Sequence, residues 1–144
     1  MAKQAITVTK NFDLNKITLD LTEELNRGAQ IIKVDHFQRL KKGQGVRGAL
    51  KPSKKASGKT LVDTGKMRNL VIEKATKQKQ EAEIHPGRKQ TYPGTNVTMS
   101  DVGGFHQTGA GSLPVREWFG VTTKAEKRIV KMIELEIERQ IKRA

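Results

Sequence analysis

From Leu14 to Leu40 the apolar side chains Leu14, Ile17, Leu21, Leu25, Ala29, Ile32 and Leu40 step mostly by three or four residues. That spacing gathers them on one stripe and predicts a long N-terminal helix. Gly28 interrupts it at about 1 kcal/mol relative to alanine, which predicts a bend or a close approach by another helix. Before it, Ile6-Thr7-Val8-Thr9 reads as a small strand or an ordered arm. The period then changes. Leu70 to Lys74 and Glu81 to His85 are short extended runs joined by the polar Ala75-Thr76-Lys77-Gln78-Lys79, an antiparallel hairpin closed by Pro86 and Gly87.

Leu61 to Met67 reads as a short helix or turn, and Val97 to His106 as a short helix. Thr123 opens the last helix with a capping-box spacing to Glu126. The core stripe of that helix is Ala125, Ile129, Ile133, Ile137 and Ile141, joined by Val130 and Met132, and Lys142 and Arg143 suit its negative end. The pattern predicts an α+β fold: a long N-terminal helix, a small antiparallel sheet and a long C-terminal amphipathic helix, with an extended basic loop over 41–60. At 144 residues one domain, 1–144, is expected.

Composition sharpens this picture. Only 4% of residues are aromatic and 35% hydrophobic, so the core is expected to be thin and aliphatic, with part of the stability drawn from neighbouring subunits. No cysteine is present, which excludes disulfides, thiolate metal sites and cysteine nucleophiles. The N-terminus lacks the apolar run of a signal peptide and no window approaches a membrane span, so a soluble chain that starts in the cytosol is expected. The net charge of +13 favours polyanionic partners without choosing among them.

Its distribution says more. Lys41, Lys42, Arg47, Lys51, Lys54, Lys55 and Lys59 fall in one stretch with no acidic residue, set among Gly43, Gly45, Gly48, Pro52 and Gly58. Apolar content is too low to offset the entropy of ordering, which predicts a mobile loop that depends on a partner for structure. The lysines would make salt-sensitive contacts to nucleic-acid phosphates or an acidic partner; no aromatics are interleaved for base stacking. The bland alternative is a solvated insertion.

Within it, Gly43-Gln44-Gly45-Val46-Arg47-Gly48 fits the dinucleotide fingerprint, but Arg39, Lys41 and Lys42 precede it where a buried strand is needed and Pro52 follows. Gly58-Lys59-Thr60 lacks the earlier glycine of a phosphate loop, since Ser53 stands there. His36, His85 and His106 show no metal-ligand spacing, and His36 beside Asp35 reads as a core or surface residue. No serine lies in a nucleophile elbow and no acidic pair supports general acid-base work, so neither catalytic, cofactor nor metal residues are assigned.

Gly103-Gly104-Phe105-His106-Gln107-Thr108-Gly109 reads as glycines freeing the backbone with Phe105 packed inside. In Pro114-Val115-Arg116-Glu117-Trp118-Phe119-Gly120, Pro114 fixes an extended approach, Trp118 and Phe119 anchor the last helix on the sheet, and Arg116 is placed to satisfy a buried carbonyl or carboxylate. With Leu61, Thr64, Gly65 and Met67 upstream, then His106, Gln107 and Gly109, then Pro114, Arg116 and Phe119, the chain resembles the phage virion morphogenesis family, the tail-completion and neck proteins of Mu-like and P2-like phages. The motif order spans most of the chain. It departs in Met67, where leucine is more usual, and in Glu117-Trp118, which fill positions often held by a proline and another apolar residue.

The resemblance implies a structural, non-enzymatic virion protein of the head-tail junction that completes or terminates the tail or forms a neck ring. Its implied partners are copies of itself, commonly in a hexameric ring, the tail tube or sheath, and connector proteins; its location would be the virion, after assembly in the host cytoplasm. Thr64, Gly65, His106, Gln107, Gly109, Pro114, Arg116 and Phe119 would serve structure or interface, and the basic loop would lie near packaged DNA. The alternative is a small basic protein that binds nucleic acid without sequence preference.

Overall fold

The computed structural model describes residues 18–50, 69–87, 91, 94–109 and 117–143. The fold is α+β, with helices α1 (Thr22–Lys41), α2 (Met99–Thr108) and α3 (Thr123–Arg143) and strands β1 (Val71–Glu73) and β2 (Glu83–His85). The strands pair antiparallel, as the hairpin reading predicts, in the register Val71↔His85, Ile72↔Ile84 and Glu73↔Glu83.

Helices α1 and α3 run antiparallel. Thr122 Oγ1 reaches Asp35 Oδ2 at 3.5 Å at one end, Gly28 meets Ile129 in the middle, and Asp20 meets Gln140 at the other end. The glycine permits the approach: a β-carbon on Gly28 would stand 3.2 Å from Ile129 Cγ2. Gly28 therefore marks a close helix contact.

Two apolar clusters form the core. Leu21, Ile32, Ile129 and Ile133 pack between the long helices, whereas Leu40, Leu70, Trp118 and Phe119 fill the end near the sheet. Ile84 of β2 touches both clusters and joins them. His36 is fully buried, its ring centroid 5.4 Å from that of Trp118 and 6.2 Å from that of Phe119, so it is a core residue.

Several sequence expectations are corrected. The helix predicted from Leu14 begins only at Thr22 among the described residues, and Leu14 and Ile17 lie outside them. Two tertiary hydrogen bonds and one local bond tie down the backbone at the helix start: Leu21 N–H donates to Gln80 Oε1 at 2.7 Å and Asp20 N–H to Gln140 Oε1 at 2.9 Å, while Thr22 N–H donates to the nearby Asp20 Oδ1 at 3.0 Å. At α3 the cap is Thr122, whose hydroxyl accepts from Ala125 N–H at 3.2 Å. The box expected between Thr123 and Glu126 is thus replaced by a single hydroxyl cap one residue earlier, with no reciprocal bond because position 125 is alanine. Val130 and Ile141, assigned to the core stripe, are 39% and 38% exposed, since the stripe facing α1 is only as wide as Ala125, Ile129 and Ile133.

The largest correction concerns the basic loop. Its first part is ordered: Lys41 ends α1, Leu50 N–H donates to Gly43 O at 2.9 Å, Gly45 N–H to Gly48 O at 2.7 Å, and Val46 N–H to Glu117 O at 2.9 Å. The apparent dinucleotide fingerprint is this turn, which follows a helix and not a strand. Gly45 is required there, because a β-carbon would stand 2.4 Å from Glu117 O and 2.6 Å from Leu50 Cδ2. Gly45→Ala is expected to destabilise the fold by about 1–3 kcal/mol through overpacking. Denaturant unfolding checks this, and an unchanged midpoint would refute the packing described.

The hairpin is stapled to α1 by amides. Asn26 exchanges two bonds with the backbone of Ala75, donating from Nδ2 to its carbonyl at 3.1 Å and accepting its N–H on Oδ1 at 2.7 Å. Gln80 Nε2 donates to Thr22 Oγ1 at 2.7 Å and to Thr76 O at 2.8 Å. At the closing turn, Gly87 N–H donates to His85 Nδ1 at 3.1 Å, which assigns the imidazole proton to Nε2, 3.3 Å from Glu73 Oε1.

Near the end of α3, Gln140 Nε2 donates to Asp20 O at 2.6 Å and to Glu136 Oε1 at 2.8 Å, while Arg139 forms a bidentate pair with Glu136. Hydrogen bonds from Arg139 and then Gln140 lower the Glu136 carboxyl from an ordinary 4.5 to about 2. A depressed carboxyl adds stability that is full above 4.5 and lost as pH falls toward 2. NMR titration of Glu136 is expected to give a midpoint near 2, and Arg139→Ala to return it toward 4.5. A native midpoint at the ordinary value would contradict this clamp.

Candidate assembly and contact surfaces

The segment 117–121, between α2 and α3 in sequence, is held from three sides. From α1, the buried Arg39 donates to Trp118 O and Gly120 O, both at 3.4 Å, with its Nε on Asp35 Oδ2 at 2.9 Å. From α2, Gln107 Oε1 accepts from both Trp118 N–H and Phe119 N–H at 3.2 Å, and its Nε2 donates to Phe119 O at 3.3 Å. From the glycine turn, Val46 N–H takes Glu117 O. These bonds satisfy backbone groups that Trp118 and Phe119 carry into the core.

This arrangement sorts the motif residues. Gln107 and Phe119 come together as one unit. Gly109 ends α2 in the left-handed conformation at φ 72°, its N–H on Phe105 O at 3.0 Å. The start of α2 carries a capping box that sequence reading missed, with Asp101 N–H on Thr98 Oγ1 and Thr98 N–H on Asp101 Oδ2. Phe105, expected inside, is 44% exposed. Two residues apart on a helix face nearly opposite ways, and Gln107 takes the inward direction.

His106 lies in α2, with its side chain outside what is described. Thr64, Gly65, Pro114 and Arg116 lie outside the described residues. Arg39 satisfies two carbonyls of this turn, whereas Arg116, expected to satisfy a buried carbonyl or carboxylate, lies outside the described residues. Arg39 carried one signal in sequence: a basic residue at helical spacing from Ile32 and His36 on the core-facing stripe.

Of the basic loop, Lys41, Lys42 and Arg47 are exposed, while Lys51, Lys54, Lys55 and Lys59 lie outside the described residues. Arg47 Nε stands 3.4 Å from Glu117 Oε2 in an exposed pair. Such pairs contribute little to stability, so the guanidinium remains available to an anion. The three cations are thus displayed on a turn anchored to the Trp118 segment.

An apolar cavity of about 40 Å³, lined by Leu25, Gly28, Ile84, Phe119, Ile129 and their neighbours, separates the helices from the sheet. Every side chain that lines it is apolar, so only backbone supplies polar groups there. Among the described residues no three His, Asp or Glu side chains converge as a metal site would require, and no helix is long and apolar enough to cross a membrane. Large apolar side chains are also exposed on the helices: Val34, Phe105, Val130, Leu135 and Ile141. No family model matches the chain, and comparison with the curated proteins and with the solved structures found no match.

Proposed function

We propose that this chain is a structural virion protein of the phage head-tail junction, acting in tail completion or as a neck ring, and not an enzyme. The observation that carries this reading is the coupling of two motif segments: Gln107 of the His-Gln-x-Gly segment binds the backbone of Trp118 and Phe119 in the Pro-x-Arg-x-x-Phe segment. Gln107 thus links, through backbone atoms, two segments of the motif order that resembles the phage virion morphogenesis family. Exposed apolar side chains along the helices suit a subunit whose surface is completed by neighbours.

The partners in this reading are further copies of the chain in a ring, commonly of six, the tail tube or sheath, and connector proteins. Mass photometry of the purified protein across concentration and salt, with and without tail tubes, tests it. A closed ring, formed alone or on tubes, is the expected result. A persistent monomer that ignores tubes and binds duplex DNA, with affinity falling steeply as salt rises, would replace it with the nucleic-acid reading. The exposed Lys41, Lys42 and Arg47 favour that second reading.

A further inference from the structure

The cavity between the long helices and the hairpin is left open because small residues from separate segments meet there. Gly28 and Ala29 line it from α1, Gly120 from the turn before α3, and Ala82 from the extended run that continues into Ile84. Ile129 and Ile133 of α3 complete the wall. Gly28, Ala29, Ile129 and Ile133 are buried and form a closed floor, whereas Leu25, Ala82 and Val121 are half-buried and leave a mouth toward solvent. At about 40 Å³ the space exceeds the roughly 10–15 Å³ that one water occupies and falls well short of the roughly 150 Å³ at which an apolar cavity takes benzene. A water held inside would need about two to four hydrogen-bond partners, and no side chain of the wall supplies one.

We infer that this cavity is a binding site for one compact apolar ligand of about one to three heavy atoms, the size of a xenon atom or a short hydrocarbon. The size follows from the volume and the chemistry from the wall. A ligand there gains dispersion contacts with atoms of α1, α3 and the hairpin at once, on surfaces that lack close partners across the void. Because the site needs all three elements in place, the ligand binds the folded chain and not the unfolded one, and it therefore stabilises the fold by mass action. The inference stands apart from the ring reading, since a single chain supplies the whole wall.

Xenon is the probe that tests this. With the native chain under increasing xenon pressure, the methyl NMR shifts of Ala29, Ile129 and Ile133 are expected to change and saturate, while the exposed Leu135 methyls stay unmoved. The thermal midpoint is expected to rise over the same pressure range. Ala82→Leu places an isobutyl group in the mouth and is expected to weaken xenon binding about tenfold or more, with the native circular dichroism retained. Ala29→Val fills the same space from α1 and is expected to do the same, so a folding defect in one variant leaves the other to decide. Benzene is expected to leave the lining methyls of the native chain unmoved. Shifts that grow without saturating, or that are as large at Leu135 as at Ile129, would overturn the site. So would a long-lived water showing nuclear Overhauser contacts to the Ile129 methyls, or xenon binding undiminished in both filled variants. Benzene binding by the native chain would overturn the stated ligand size.

Discussion

Trp118→Ala is expected to lower the unfolding free energy by about 3–5 kcal/mol, the usual range for removing a large aromatic from a core. Trp118 has no exposed surface and touches the clusters from several directions: its ring lies 5.3 Å from that of Phe119 and 5.4 Å from that of His36, with Leu40 and Leu70 in the same cluster. The neighbouring Phe119 and His36 rings are themselves buried in place, so neither fills the void without vacating its own site. The cavity would also loosen the backbone that Arg39 and Gln107 bind. Urea unfolding followed by far-ultraviolet circular dichroism measures the loss, and Trp118→Phe is expected to recover part of it. A loss under about 1 kcal/mol would mean that the ring is not a core residue.

Gln107→Leu is expected to cost about 2–4 kcal/mol, because it strands two N–H donors and one carbonyl acceptor in a partly buried turn. Gln107→Glu separates the two halves of that role. A carboxylate still accepts from Trp118 N–H and Phe119 N–H, but it has no donor for Phe119 O and places negative charge beside that carbonyl. The glutamate variant is therefore expected to fall between native and leucine at neutral pH. Amide exchange at Trp118 and Phe119 is the specific readout: protection is expected to collapse in the leucine variant and persist in the glutamate variant. Equal protection in both would show that the amide is not what holds the turn.

These two residues illustrate how structure and candidate site divide between chain and fold. The hairpin was legible because two short extended runs flank a polar connection, and Pro86 and Gly87 allow few continuations. Gly28 was legible as a bend or a close helix contact, and its approach to Ile129 decides for the contact. The exposed cations of the basic loop were legible as charge alone.

The order of the first half of that loop was not legible. Glycine and lysine composition argued for a mobile segment, yet Gly45 fits under Glu117 O and Val46 binds the same carbonyl, contacts more than seventy residues away. Polar staples escaped for the same reason. Asn26 on Ala75, Gln80 on Leu21, Gln140 on Asp20 and Arg39 on Trp118 join positions between 49 and 120 residues apart, and no local period encodes them.

What the sequence by itself determined is the set of elements, their apolar faces and the surplus of positive charge, because periodicity and composition act over a few neighbouring residues. The tertiary structure alone decided where α1 starts, which threonine caps α3, why Gln107 turns inward and Phe105 outward, and which flanks of α3 stay uncovered. Each of these depends on hydrogen-bonding groups and apolar surface from distant segments meeting in space, and only the folded chain brings them within reach.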